Sequence, residues 1–406
     1  MQFGIFRPVG APIALLACAA LVALIVDAAA QGLPPLKIGV LSDLSGPYAD
    51  SGGPGSVLAA QMAVQDFGGT VKGRKIEIIA GDTLNKPDVA ASVARRWFDA
   101  EGVAAVVDLP VTPVAFAVQT LAKQSNKTVM ITASATSDFT SKACAPQSTH
   151  WADDTHALAA GTAKELLANG ATSWQFIAVD IAFGAALVKE ASDVIAAGGG
   201  TVTGTVRHPV GATDYSSLLL QAQTSKAKII GLASVGGDLV NIVKQSKEFA
   251  IGADGSQSLV AFLVYINDIH ALGLDVAQNL VVSSSFYWDQ NDTARAFAKR
   301  FSETRKAMPS KNQAAIYAAV LHYLRAVDAA GTDEAVAVGK KMRELPLDYF
   351  GKPASVRSDG RVIYDLNVYR VKKKSEQQGP WDYYAPIRTI PAKDAFLPVN
   401  TAVCGG

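Results

Sequence analysis

Past residue 35 the chain alternates short apolar runs with amphipathic stretches, and that rhythm limits the fold more than any other feature. Residues 36–41, 75–80, 103–107 and 128–131 read as strands, being short and largely apolar. Between them, residues 55–67, 88–100 and 114–124 read as helices with an apolar side. The alternation restarts after His150-Trp151, with helices expected over 155–168, 182–197, 215–224 and 239–249 and strands over 174–179, 201–207 and 227–232. Strand–helix repeats of this kind predict parallel sheets covered by helices on both faces, and two successive runs predict two lobes. No long Pro- or Ser-rich linker divides them, so the lobes are expected to meet across a short hinge. Two strong helices, 293–307 and 313–330, a strand over 361–371 and a Pro- and aromatic-rich tail complete the chain.

A length of 406 residues suits two ordinary domains, and 49% hydrophobic with 18% charged residues fits sizeable cores and argues against disorder. The 37 basic residues nearly cancel the 36 acidic ones. A balance of +1 gives no global field for gathering nucleic acid, and the chain is read as having no nucleic-acid partner.

Residues 1–30 differ in kind. Arg7 precedes a nearly unbroken apolar stretch over 14–26, and Ala28-Ala29-Ala30 supplies the small residues of a cleavage site. This is the pattern of a secretory signal peptide, with Gln31 as mature N-terminus and export as the outcome. An uncleaved anchor over 11–30 would have to carry Asp27 into the bilayer. Lipidation at Cys18 is the other alternative, although hydrophobic sequence continues beyond that residue. Cleavage leaves Cys144 and Cys404, for which one disulfide is the simplest count and two free thiols the alternative.

Catalytic signatures are absent: there is no GxxxxGK[ST] loop, no HExxH motif and no dinucleotide spacing at Gly52-Gly53-Pro54-Gly55. Five scattered histidines give no metal set, no cofactor is implied, and the protein is read as a non-enzyme. Asp153-Asp154 reads as a solvated or helix-capping pair before the helix at 155. The turns that follow strands are rich in Ser, Thr and Gly. Ser42 and Ser45 follow the first strand, Thr112 the third, and Ser134 and Thr136 the fourth. In an open parallel sheet such turns gather at the carboxyl edge, where hydroxyls and backbone N–H groups suit an anion such as a carboxylate. Each alone could equally be a helix cap.

Leu36-Lys37-Ile38-Gly39-Val40-Leu41 with Ser45-Gly46-Pro47, and Met130-Ile131-Thr132-Ala133-Ser134-Ala135-Thr136, resemble two hallmarks of the leucine/isoleucine/valine-binding protein family. The stretch from His150-Trp151 to Gly161-Thr162 and the tail Pro380-Trp381-Asp382-Tyr383-Tyr384 resemble a subgroup of it. The resemblance implies an α/β fold: two Rossmann-like lobes with parallel central sheets joined by a three-crossover hinge, the type I periplasmic binding protein. It places residues 36–150 and 285–360 in lobe one, 151–284 and 361–398 in lobe two, and 399–406 in a tail. It implies a monomer that captures a small carboxylate and docks on an ABC permease of the inner membrane. A ligand sensor feeding a regulator is the alternative.

By this resemblance Thr112, Ser134 and Thr136 hold the carboxylate, and Phe183 covers the ligand from lobe two. Phe262 stands where amino-acid-binding members carry an acidic residue, and Val235 where a second aromatic is usual. An ammonium buried without a counter-charge costs several kcal/mol, so an apolar or aromatic acid is expected to suit the site better than an α-amino acid. Trp151, Phe183, Phe262, Phe286, Tyr287 and Trp288 are the candidate stacking surfaces. Three adjacent aromatics cannot all face one core from a strand, so at least one of the last three is expected at the cleft or an interface.

Overall fold

The computed structural model describes residues 1–4, 33–252 and 255–404. The signal-peptide and Cys18 readings therefore lie outside the described residues. The chain order is β1 (Leu36–Ser42), α1 (Gly53–Phe67), β2 (Thr70–Val71), β3 (Arg74–Asp82), α2 (Pro87–Asp99), β4 (Val103–Asp108), α3 (Thr112–Gln124), β5 (Thr128–Ile131) and β6 (Ser148–His150). These strands form one sheet in the order β2-β3-β1-β4-β5-β6, parallel except for the β2–β3 hairpin. Next come α4 (Thr155–Ala168), β7 (Ser173–Val179), α5 (Ala182–Ala197), β8 (Thr201–His208), α6 (Ser216–Thr224), β9 (Ile229–Ala233), α7 (Gly236–Glu248) and β10 (Ser258–Ala261). They build a second, wholly parallel sheet, β10-β9-β7-β8.

Both sheets reverse their order once. The chain winds one way from β1 to β3 and the other way to β4; likewise it passes from β7 to β8 and then across to β9. At such switch points neighbouring loops leave toward opposite faces and open a crevice at the carboxyl edge. Small residues let the helices close on the sheets. A Cβ on Gly184 would lie 2.1 Å from the Val179 carbonyl oxygen, so only glycine lets the first turn of α5 sit on the end of β7.

The remainder is α8 (Ile266–Leu272), α9 (Leu274–Ala277), β11 (Val281–Ser284), α10 (Asp292–Arg305), α11 (Lys311–Ala330), α12 (Ala335–Glu344), β12 (Leu347–Asp348), β13 (Pro353–Val356), β14 (Val362–Ile363), β15 (Leu366–Val371) and β16 (Tyr384–Ile390). The strand expected over 361–371 is broken at Tyr364-Asp365. Its halves join different antiparallel sheets, β12-β13-β14 and β11-β15-β16. Sheet β11-β15-β16 alternates its side chains between two cores: Leu366 and Val368 go to one, Tyr369 and Val371 to the other. Phe286 and Tyr287 divide between the same two cores and Trp288 packs against both. None of the three lines the main cavity, and Trp288, half-buried, sits where the two cores meet. Cys144 and Cys404 are bonded, with Cα atoms 5.8 Å apart.

Where the chain passes between the parallel sheets it carries buried charge. Asp153 and Asp154 are nearly inaccessible, so the expectation of a solvated pair is wrong. Asp154 does cap α4, accepting from the Ala157 N–H at 2.8 Å. Asp153 lies 2.9 Å from the Lys311 ammonium and accepts from the Tyr364 hydroxyl at 2.9 Å and the Ser285 N–H at 3.2 Å. Burial pushes the Asp153 carboxyl up, but the Lys311 charge and these hydrogen bonds outweigh it and hold the group below its ordinary range. Arg361, fully buried, lies 3.5 Å from Asp154 and donates to the Ala152 carbonyl and to His150 Nδ1 at 3.1 Å. Burial and the Arg361 charge drive His150 well below its ordinary value, so its ring is neutral and donates from Nε2 to the Ser134 carbonyl at 2.7 Å.

Removing one partner of a buried pair strands the other charge, which typically costs ~3–5 kcal/mol. Lys311→Met is expected to lower unfolding free energy in urea by that amount, and Lys311→Met with Asp153→Asn to recover most of it. A single variant as stable as the parent would remove this pair from the stabilising framework.

Candidate functional site

The carboxyl edges of the two parallel sheets face one another across a cavity of about 500 Å³, including its solvent-open part. From the first sheet, the loop after β1 supplies Tyr48, Ser51 and Gly52, and the loop after β4 supplies Pro110 and Val111, with Thr112 next. The loop after β5 adds Ala133 and Ala135. From the second sheet come Ile181 and Phe183 after β7, Val235 after β9, and Leu263 and Tyr265 after β10; Asn312 projects from the start of α11. Both switch points therefore open onto one space.

The helix starts around it share a feature. The residues that begin α1, α3, α5 and α7 are Gly52, Val111, Ile181 and Val235; all four line the cavity and none caps its helix with a side chain. Elsewhere α4, α10 and α12 are capped by Asp154, Asn291 and Glu334 while α2 and α6 are not, and at the cavity α11 is capped by Ser310. First-turn N–H groups have no partner within their own helix, and a Ser, Asp or Asn cap normally satisfies one of them. With apolar or glycine residues in that place, the positive ends of α3, α5 and α7 meet the cavity without a side-chain cap, while at α1 the Ser42 hydroxyl accepts from the Gly53 N–H at 2.9 Å. The Thr112 hydroxyl, also in the wall, adds a donor. An anion is the complementary occupant.

No charged side chain lines the space. Burial pushes Tyr48 up to about 12, helped by Asp238 and Asp43, and pushes Tyr265 up as well, so both phenols stay neutral. Behind Gly52 lies Asp108, raised by burial and held by hydrogen bonds that include the Asn312 amide at 3.1 Å. A Cβ on Gly52 would approach the Asn312 amide nitrogen at 3.3 Å and Asp108 at 3.4 Å. Asp108 and Leu109 both have positive φ, 90° and 64°. Such residues cost of order 1–3 kcal/mol each and persist only where the surroundings hold them. Here the Asp108 carbonyl accepts from the N–H groups of Thr132 and Ala133, and the Leu109 carbonyl from the Ser134 hydroxyl at 2.6 Å.

The structure places Thr112 and Phe183 in the cavity wall and takes five other candidates out of it. Ser134 spends its hydroxyl on Leu109. Thr136 caps the short turn Ser137–Thr140, accepting from the Asp138 N–H. Ser45 is bonded to Asp82 at 2.8 Å on the exposed side of its turn. Trp151 is buried, donates to Thr149 at 2.9 Å and borders only a smaller chamber behind Asn312. Phe262 is fully buried between Trp174 and Phe176, because β10 points it into the second lobe's core. The neighbours Leu263 and Tyr265 reach the cavity instead. Sequence reasoning missed Tyr48, Ile181, Tyr265 and Asn312. For Tyr48 and Ile181 the signal was present, since each stands just after a strand-ending turn.

One contact between the halves carries a titratable group. Glu190 on α5 accepts hydrogen bonds from Ser137, on the loop after β5, and from Thr155 at 3.0 Å. His156 stands 3.9 Å away. Burial pushes the Glu190 carboxyl up to about 7, against the Ser137 and Thr155 bonds and with the help of Asp154 and Asp138.

A family model described as periplasmic binding protein matches residues 35–377. A periplasmic binding protein from Burkholderia mallei is 42% identical, with TM-score 0.88, covering 91% of this chain and 98% of that one. A branched chain amino acid ABC transporter periplasmic ligand-binding protein from Burkholderia xenovorans is 35% identical, with TM-score 0.81 and coverage of 91% and 99%. A solute binding protein of an ABC transporter from R. palustris, in complex with benzoate, shares the fold at 18% identity, with TM-score 0.78 and coverage of 87% and 96%. Among curated proteins there is no significant match. With two switch-point sheets closing on one cavity and relatives matched along nearly their whole length, the chain belongs to the periplasmic binding proteins of the branched-chain amino acid ABC transporter type and has the type I fold of that family.

Proposed function

We propose that the protein is the solute-binding component of an ABC importer, exported to the periplasm behind a cleaved signal peptide. As a monomer it captures a small monocarboxylate with an apolar or aromatic body, and the closed form docks on an inner-membrane permease. Lobe one is residues 36–150 with 285–360, lobe two 151–284 with 361–398, and the ligand draws them together without chemistry. The observation that carries the reading is the meeting of three helix starts without a side-chain cap, those of α3, α5 and α7, on a cavity whose lining holds no charged side chain. The helix ends attract the carboxylate. Phe183, Leu263, Val235 and Tyr265 cover its body. An α-amino acid would bring an ammonium with no carboxylate in the lining to meet it, at a cost of several kcal/mol. The name of the 35%-identical relative favours an amino acid as the second reading.

Isothermal titration with leucine, phenylalanine, benzoate, phenylacetate and hexanoate separates the two. The proposal expects binding by the simple acids and little by the amino acids; the reverse order would overturn it. Thr112→Val is expected to weaken the bound acid by ~1–3 kcal/mol, the usual cost of losing a hydrogen bond to a charged group. Unchanged affinity would take Thr112 out of the carboxylate's shell.

The Glu190 contact adds a pH dependence. A carboxyl raised to about 7 in the closed state favours its protonated form there, so closure is strongest at low pH. That contribution fades as pH rises from the ordinary carboxyl range toward 7 and is then constant. Affinity for an acid that stays ionised is expected to fall between pH 5 and 8 in the parent and to fall less in Glu190→Gln. Parallel profiles for the two proteins would contradict this role.

A further inference from the structure

Behind Asn312 the cavity continues into a smaller chamber of about 240 Å³, including its solvent-open part. Thr132, Trp151, Asp153, Ser285 and Lys311 wall it, and it shares Ala133, Leu263, Tyr265 and Asn312 with the main space. Two buried polar atoms on this wall have no hydrogen-bond partner among the described residues: Thr132 Oγ1 and Asn312 Oδ1. Their residues are 1% and 3% exposed. Buried hydroxyl and amide oxygens are normally paired, so two orphans on one small chamber call for an occupant.

The chamber's charges are already committed. Lys311 is held by Asp153 at 2.9 Å and by the Ser283 carbonyl at 3.2 Å, and Asp153 is completed by Tyr364 and Ser285. The Asn312 amide donates one of its two N–H groups to Asp108. The two fully buried atoms left without a partner are one hydroxyl, able to donate or accept, and one acceptor oxygen. A second carboxylate would meet the Asn312 oxygen and the Asp153 charge. An ammonium would stand beside Lys311. A neutral hydroxyl fits both orphans at once, donating to Asn312 Oδ1 and accepting from Thr132 Oγ1–H.

We propose that this chamber is a hydroxyl-reading subsite and that the natural solute is a monocarboxylate bearing a hydroxyl at the end of its body away from the carboxylate. Thr132 and Asn312 are then specificity-determining residues. The inference rests on the carboxylate reading above.

The test uses two matched pairs of probes on the full mature protein: benzoate with 4-hydroxybenzoate, and hexanoate with 6-hydroxyhexanoate. A site with polar groups placed for a hydroxyl rejects the analogue that lacks it. In at least one pair the hydroxylated acid is expected to bind about tenfold tighter or better. Thr132→Val, which removes an unpaired hydroxyl at nearly constant volume, is expected to keep its melting temperature and to cut that preference roughly three- to tenfold, leaving the unsubstituted acid unaffected. If the plain acids bind and hydroxylation gains nothing in either pair, the chamber holds only water and the inference is overturned while the carboxylate reading stands. If the preference survives intact in Thr132→Val, the hydroxyl is read elsewhere and the subsite falls. Should that variant not fold, the comparison within each pair on the parent protein decides. Binding by no acid at all would remove the carboxylate reading itself and this inference with it.

Discussion

On the proposed reading, the ligand's carboxylate is held without a cation by backbone N–H groups left free to meet it, with neutral donors such as Thr112 beside them. A helix start is ordinarily closed by a Ser, Thr, Asp or Asn side chain, as at α4 and α10, although α2 and α6 also lack such a cap. At the cavity, α1, α3, α5 and α7 start from Gly52, Val111, Ile181 and Val235, whose side chains make no cap; α1 is met instead by the Ser42 hydroxyl, and α11 is capped by Ser310. Bare helix ends are unfavourable in an unliganded protein. Water or a ligand can supply the missing acceptor, and on the proposed reading the ligand's carboxylate does so and draws the two halves together. The apolar walls sharpen the effect, because the same dipoles act more strongly when water is excluded.

Holding those ends in place takes rigidity, and the structure obtains it from polar bonds placed where apolar packing cannot reach. The strained Asp108-Leu109 turn is tied to the β5 loop through two carbonyls. That loop is tied through the Ser134 carbonyl to His150, and His150 to Arg361. Arg361 and Asp153 in turn join the segments on which the chain passes between the sheets, through Asp154, Tyr364 and Ser285. A continuous set of hydrogen bonds thus runs from the cavity wall to the hinge region. Interior charges of this kind are poor sources of stability but specify one arrangement of the segments they join.

The fold was legible in the sequence because strand and helix periodicities survive wherever an element has a buried face. Helices over 155–168 and 182–197 were read to the residue. The reading failed where periodicity carries no information. The Tyr364-Asp365 break between β14 and β15 is set by burial of Arg361 and Tyr364 in the charge network, which no local pattern reveals. The tail at Tyr384–Ile390 forms β16 because it pairs with β15, a long-range event hidden by its prolines and aromatics. At the site, the turns were found but the side chains were not. Ser134 and Thr136 are hydroxyls used for local caps and loop ties, as such residues often are. Phe262 shows the sharper limit: a two-fold alternation at the end of a four-residue strand decides whether a residue faces core or cavity, and an error of one position reverses the answer. Leu263 and Tyr265 are the residues of that segment that line the cavity.

The account turns on where the carboxylate lies. A crystal structure of the mature protein with a bound organic acid measures this directly. The carboxylate oxygens are predicted within hydrogen-bond distance of first-turn N–H groups of α3 and α5, with Thr112 Oγ1 as a further donor and no side-chain cation in contact. A carboxylate found against Lys311, or turned out to solvent with the helix ends still bare, would contradict it.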